Sequence, residues 1–96
     1  MTSRRLTVEQ HRTAINAAAR RHHGRTISIF GSVARGDDRE DSDIDFLVDF
    51  EPGSSLFDLL HLQDELATIT GCPVDEVSAG ALKERDEHIR REAVPL

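Results

Sequence analysis

Apolar and polar positions along the 96-residue chain fall into blocks with helical or strand periodicity. From Thr7 to His23 most residues are good helix formers, with Val8, Ile15 and Ala18 or Ala19 near helical spacing. Thr7 is expected as the N-cap and Gly24 as the C-terminal stop. Thr26 to Phe30 (TISIF) is a β-branched run closed by Gly31, which predicts a strand. A brief turn or helix is expected from Ser32, followed by a polar loop to about Ser42. DIDFLVDF, residues 43–50, then alternates and becomes nearly continuously apolar, as a buried central strand does. Glu51-Pro52-Gly53 ends it, and Ser54 or Ser55 can cap a helix from Leu56 to Thr70. There Leu56, Leu59, Leu60, Leu62, Leu66 and Ile69 make a wide apolar face, and Gly71 closes the helix. Pro73 to Ser78 reads as a third strand and Leu82 to Ala93 as a final charged helix. The apolar end Val94-Pro95-Leu96 is either core or partner surface. The order α-β-(turn)-β-α-β-α predicts an α/β (α+β) fold, a small mixed sheet with helices packed on one face.

Composition narrows the picture. The chain has the length of one domain, and 38% hydrophobic with 31% charged residues is ordinary for a soluble, folded protein. No apolar run is long enough to span a bilayer, and MTSRRLTVEQ lacks the apolar core of a signal peptide. Cys72 is the single cysteine, so no internal disulfide can form, and it reads as small core filler. A cytoplasmic setting is expected. The net charge of −6 argues against direct binding of nucleic acid through its phosphates. Phe30, Phe46 and Phe57 fall in apolar patterns that read as core, so no stacking platform is visible.

Chemistry concentrates in GSVARGDDREDSDIDFLVDF, Gly31 to Phe50, where seven of twenty residues are Asp or Glu. Asp43 and Asp45 stand two apart at a strand start, so their side chains leave one face roughly 6.5–7 Å apart along the backbone. Carboxylates presented this way can bridge two divalent cations, and an oxygen-only donor set favours Mg²⁺ or Mn²⁺. Gly31-Ser32 closes the preceding strand and directs backbone N–H groups and a hydroxyl at one spot, which suits a phosphate. Ser32 reads as a triphosphate contact, a helix N-cap, or both. Arg35 reaches either a phosphate or the acidic loop of Asp37, Asp38, Glu40 and Asp41, which is otherwise solvated or a landing surface for a basic partner. Asp49 shares the face of Asp45 but lies further along the strand and is left out. Asp37 stands where a Walker A loop needs Lys, and Phe46 and Pro52 stand where an EF-hand needs Gly and Glu, so both motifs are excluded.

Gly31-Ser32, ten intervening residues and Asp43-x-Asp45 resemble the signature of the polymerase β-like nucleotidyltransferase superfamily. More narrowly, GSVARGDDREDSDIDFLV resembles the minimal nucleotidyltransferase domains that act as antitoxins in HEPN/MNT toxin–antitoxin pairs. The likeness extends over nearly the whole chain, read as one domain over 1–96, and includes the ending REAVPL. It implies a polymerase β-like nucleotidyltransferase fold and a third metal-binding carboxylate, at Asp75 in PVDEV. Glu76 is the alternative, pointing to the opposite face. The resemblance further implies two metals holding ATP, catalytic and metal-binding roles for Asp43, Asp45 and Asp75, and nucleotide contacts at Gly31, Ser32 and Arg35. The implied reaction is transfer of AMP to a tyrosine of a HEPN RNase toxin, within a hetero-oligomer of the two. The chain contains no Tyr, so such a modification must occur in trans. Its length leaves no room for a second acceptor-binding domain, which favours a protein acceptor. Two rivals stay open: an antitoxin acting by binding alone, and a transferase subunit for a small-molecule acceptor.

Overall fold

The computed structural model describes residues 3–96. Met1 and Thr2, which open the stretch read above as lacking a leader's apolar core, lie outside them. Helix α1 (Arg4–Gln10) is capped by Ser3, whose hydroxyl accepts the Leu6 amide at 3.0 Å, and α2 (Arg12–Arg21) follows after His11. The single helix expected from Thr7 is therefore two, and Thr7 lies inside the first. The break falls at His11, where the ring Nδ1 reaches the Thr7 carbonyl at 2.8 Å and the backbone leaves helical geometry (φ −110°, ψ 15°). Val8, Ile15, Ala18 and Ala19 are buried. Gly24 is not the helix stop. His23 takes the left-handed position (φ 66°), and Gly24 opens strand β1 (Gly24–Phe30). A Cβ at Gly24 would press on the Ala19 carbonyl and on Val48 Cγ1, each at 3.0 Å, so glycine there lets α2 lie close on the sheet.

A five-residue helix, α3 (Gly31–Arg35), leaves β1 directly, one residue earlier than expected and with Phe30 rather than Ser32 in the N-cap position. After the polar loop, β2 (Ile44–Phe50) returns antiparallel to β1, with Phe30 opposite Asp45 and Ser28 opposite Leu47. Helix α4 (Leu56–Thr70) then crosses over, as a parallel neighbour requires, to β3 (Val74–Ser78). Ser55 and Asp58 form its capping box, and Gly71 in the left-handed region (φ 69°) ends it. The sheet order is β3-β2-β1-β4, where β4 (Val94–Pro95) pairs antiparallel with β1. This fourth strand was not expected: two residues carry no alternation, and Pro95 argues against a strand except at an edge.

Ile27, Ile29, Ile44, Phe46 and Val48 line one face of the sheet and pack with Ile15, Leu62 and Leu66 into the core. The predicted apolar face of α4 is narrower than expected, since Leu56 (69%) and Leu60 are exposed, and Phe57, expected in the core, is 70% exposed. At 3.6 residues per turn, Leu60 and Phe57 lie about 140–160° round the helix from the Leu62 seam, too far to join it. Phe57 is thus not core. Phe30 shares the parity of Ser28 and is half-buried on the face opposite Ile27 and Ile29.

The predicted final helix is also shorter. Ala79–Ala81 and Glu84–Asp86 are single 3₁₀ turns, Leu82 is extended, and only Glu87–Glu92 (α5) is α-helical. Asp86 turns back to accept the Lys83 amide at 3.1 Å, which fixes a new start there and breaks continuity with Leu82. The segment from Ala79 to Glu92 runs beside the sheet face that the core leaves free, with Ala79 near Leu47 and Glu92 at Gly31. Among the described residues, no helix is long and apolar enough to cross a membrane.

Candidate active site

Ile44 and Phe46 are fully buried in the core, so the intervening Asp45 leaves β2 by the other face. Parallel pairing sets Asp75 of β3 beside it, and Asp43 lies just before the strand, exposed. Burial pushes the Asp45 carboxyl above its ordinary value, and the charges of Asp75 and then Asp43 push it further. Arg35 opposes the shift and Glu92 adds to it. Asp75 faces solvent, whereas its neighbour Glu76 points into the packed side and is only 8% exposed. Among the described residues neither Glu76 oxygen has a hydrogen-bond partner, and burial raises its carboxyl to about 8.

The turn after β1 presses directly on this cluster. Gly31 has φ +73°, and a Cβ there would overlap Asp45 Oδ2. No other residue lets the chain turn so close to that carboxylate. Ser32 is the second residue of α3, half-buried, and its carbonyl accepts the Asp37 amide at 3.0 Å. Arg35 does engage the acidic loop, with Nε 3.2 Å from Asp37 Oδ2.

Glu92 was not anticipated. Its Oε1 accepts the Gly31 amide and an Arg35 N–H, each at 2.9 Å. A carboxylate from the C-terminal helix thus sits on the donors that sequence reasoning assigned to phosphate. In the sequence Glu92 stands in the ending REAVPL, which belongs to the resemblance but gives this carboxylate no role. The acidic loop itself is tethered from α1, since Arg4 donates to the carbonyls of Ser42 (2.6 Å) and Glu40 and to Cys72 Sγ (3.0 Å). Cys72 is half-buried against the core.

Beyond Asp45 along the same face lies a groove of about 270 Å³, with Leu47 at its floor. Thr26 and Ser28 of β1, Asp49 of β2, and Gly80 and Arg90 of the C-terminal segment form its walls. Arg90 is held there by the Ala79 carbonyl at 2.8 Å.

Among the described residues, no three His, Cys, Asp or Glu side chains are gathered closely enough to hold a metal ion by themselves. Asp45 and Asp75 are nonetheless adjacent, all-oxygen and mutually repelling, which suits a hard cation that takes one or two carboxylates and completes its shell with substrate phosphates and water.

Residues 11–94 match the family model described as a nucleotidyltransferase domain. The chain belongs to that family. This nucleotidyltransferase is 42% identical over 77 residues to the protein adenylyltransferase MntA of Thermococcus cleftensis, covering 79% of this chain and 78% of the relative. A solved structure of a proposed minimal nucleotidyltransferase aligns with a TM-score of 0.85 at 44% identity, covering 94% of this chain and 93% of that one. A toxin–antitoxin crystal structure with AMP-PNP shares the fold at 21% identity, with a TM-score of 0.73 over 86% of this chain and 69% of that one. The expected minimal nucleotidyltransferase fold is therefore the observed one.

Proposed function

We propose that this nucleotidyltransferase is an antitoxin that moves AMP from ATP onto a tyrosine hydroxyl of a HEPN RNase toxin and so silences it. The observation that carries the reading is the meeting of Asp45, its neighbour Asp75 and the Gly31 turn at one point of the free sheet face. Kinship with a protein adenylyltransferase supports ATP as donor and a protein as acceptor. Two Mg²⁺ or Mn²⁺ ions, held by Asp43, Asp45 and Asp75 with phosphate oxygens, would neutralise the triphosphate and lower the pKa of the acceptor hydroxyl.

The chain's own residues orient the reactants. The Gly31 amide and Ser32 hydroxyl receive the outer phosphates, with Arg35 beside them, and phosphate oxygens compete with Glu92 for the Gly31 amide and Arg35. The tyrosine oxygen forms a bond to the α-phosphorus as the bond to the bridging oxygen breaks. Pyrophosphate leaves, and the phenolic proton passes to Asp75 or to water. We place the reaction in the cytoplasm, in a hetero-oligomer with the toxin, on one domain spanning residues 1–96.

The test incubates the protein with ATP labelled at the α-phosphate, Mg²⁺ and lysate of its own host, beside the double variant Asp43→Ala, Asp45→Ala. One labelled protein band, lost with the variant, is expected. Labelling that survives in the variant would place the chemistry elsewhere. No labelling, with both forms capturing the same partner equally, would mean that binding alone neutralises it.

A further inference from the structure

Resting on that reading, we propose that the groove over Leu47 is the acceptor subsite, where an extended polypeptide segment of the partner inserts its hydroxyl-bearing aromatic side chain. In transfer from a triphosphate, the attacking oxygen and the leaving pyrophosphate stand roughly in line through the reacting phosphorus. Gly31 and Ser32, the leaving-group side, follow Phe30 at the end of β1, and Phe30 pairs with Asp45. Because β1 and β2 are antiparallel, residues before Phe30 and after Asp45 run together away from that turn. Ser28 pairs with Leu47 and Thr26 with Asp49, and these four line the groove. The groove therefore lies across Asp45 from the pyrophosphate side, where an in-line nucleophile must approach.

Spacing and chemistry agree. Leu47 is two residues beyond Asp45 on the same face, about 6.5–7 Å along the strand. A phenol whose oxygen stands about 3–3.5 Å from the phosphorus lays its ring over that position. Leu47 offers the ring an apolar floor, while the Thr26 and Ser28 hydroxyls, Asp49 and Arg90 offer hydrogen-bond partners to the backbone on either side. The nucleoside hangs from the phosphorus off the line of attacking and leaving oxygens.

Two variants fill the groove from opposite walls. Gly80→Phe is sterically open, since a Cβ at Gly80 meets only Ser78 Oγ at 3.9 Å and its φ is not in the left-handed region. Thr26→Phe adds an aromatic to an exposed strand position. The acceptor is the protein that the wild type labels, purified; ATP binding with Mg²⁺ and Tm are followed in parallel. Both variants are expected to lower kcat/KM for the protein acceptor at least about tenfold, with ATP affinity and Tm close to wild type. Wild-type labelling by either folded variant overturns the subsite. Matching losses of ATP affinity and labelling would make the groove a nucleoside site and also overturn it. If the wild type labels no protein at all, the adenylylation reading fails and the acceptor subsite with it.

Discussion

At Gly31 two constraints coincide: a left-handed backbone and a carboxylate where a Cβ would stand. Gly31→Ala is expected to cost about 1–2 kcal/mol from the backbone alone. It also displaces Asp45, for which a loss of AMP transfer of about a hundredfold is expected. Denaturant titration and labelling rates check the two effects, and an alanine variant with wild-type transfer would show that Asp45 is not held by this contact. Glu76 makes a separate claim. Its folded carboxyl lies near 8 against an ordinary 4.5, so its stabilising contribution is complete below about 4.5 and is lost as pH rises towards 8. The slope is about 1.4 kcal/mol per pH unit at most. Glu76→Gln should therefore gain on wild type between pH 5 and pH 8 in denaturant midpoints, whereas parallel curves would mean Glu76 reaches a partner in solution. The face that Asp45 takes and the turn at Gly31-Ser32 are legible in sequence because strand parity and a turn are local facts, whereas Asp43 falls just before the strand that was expected to carry it. Glu92 is not: 61 positions separate it from Gly31, and no local pattern joins them.

Strand β2 and helix α4 follow closely from their patterns, because each carries a long run with strong end signals. The N-terminal helices and the C-terminal segment do not. There the boundaries depend on single side chains, Ser3, His11 and Asp86, which offer the backbone an alternative partner. Arg4 shows how one element serves another, since α1 fastens the loop that delivers Asp43. Arg4→Ala is expected to lower stability by about 1.5–3 kcal/mol, as lost hydrogen bonds from a charged donor do, and to speed proteolysis in the 36–42 loop. Arg4→Lys should recover only part, because an ammonium cannot span several acceptors as the guanidinium fork does. Unchanged Tm and cleavage in the alanine variant would contradict the tether.

The whole molecule divides its labour between two sheet faces. One is spent on the core with Ile15, Leu62 and Leu66; the other presents the carboxylates, the Gly31 turn and the groove. The C-terminal segment serves the second face twice, walling the groove with Gly80 and Arg90 and contacting the turn through Glu92. With net charge −6, the chain suits a cation-borne nucleotide better than a bare polyanion. On the proposed function this face performs AMP transfer rather than binding alone. The most direct measurement is the intact mass of the partner protein, isolated after co-expression with the wild type and with the Asp43→Ala, Asp45→Ala variant. Partner molecules heavier by whole AMP units, mapped to a tyrosine, are expected with the wild type only. Unmodified partner, inactivated equally by both forms, would contradict the proposed function.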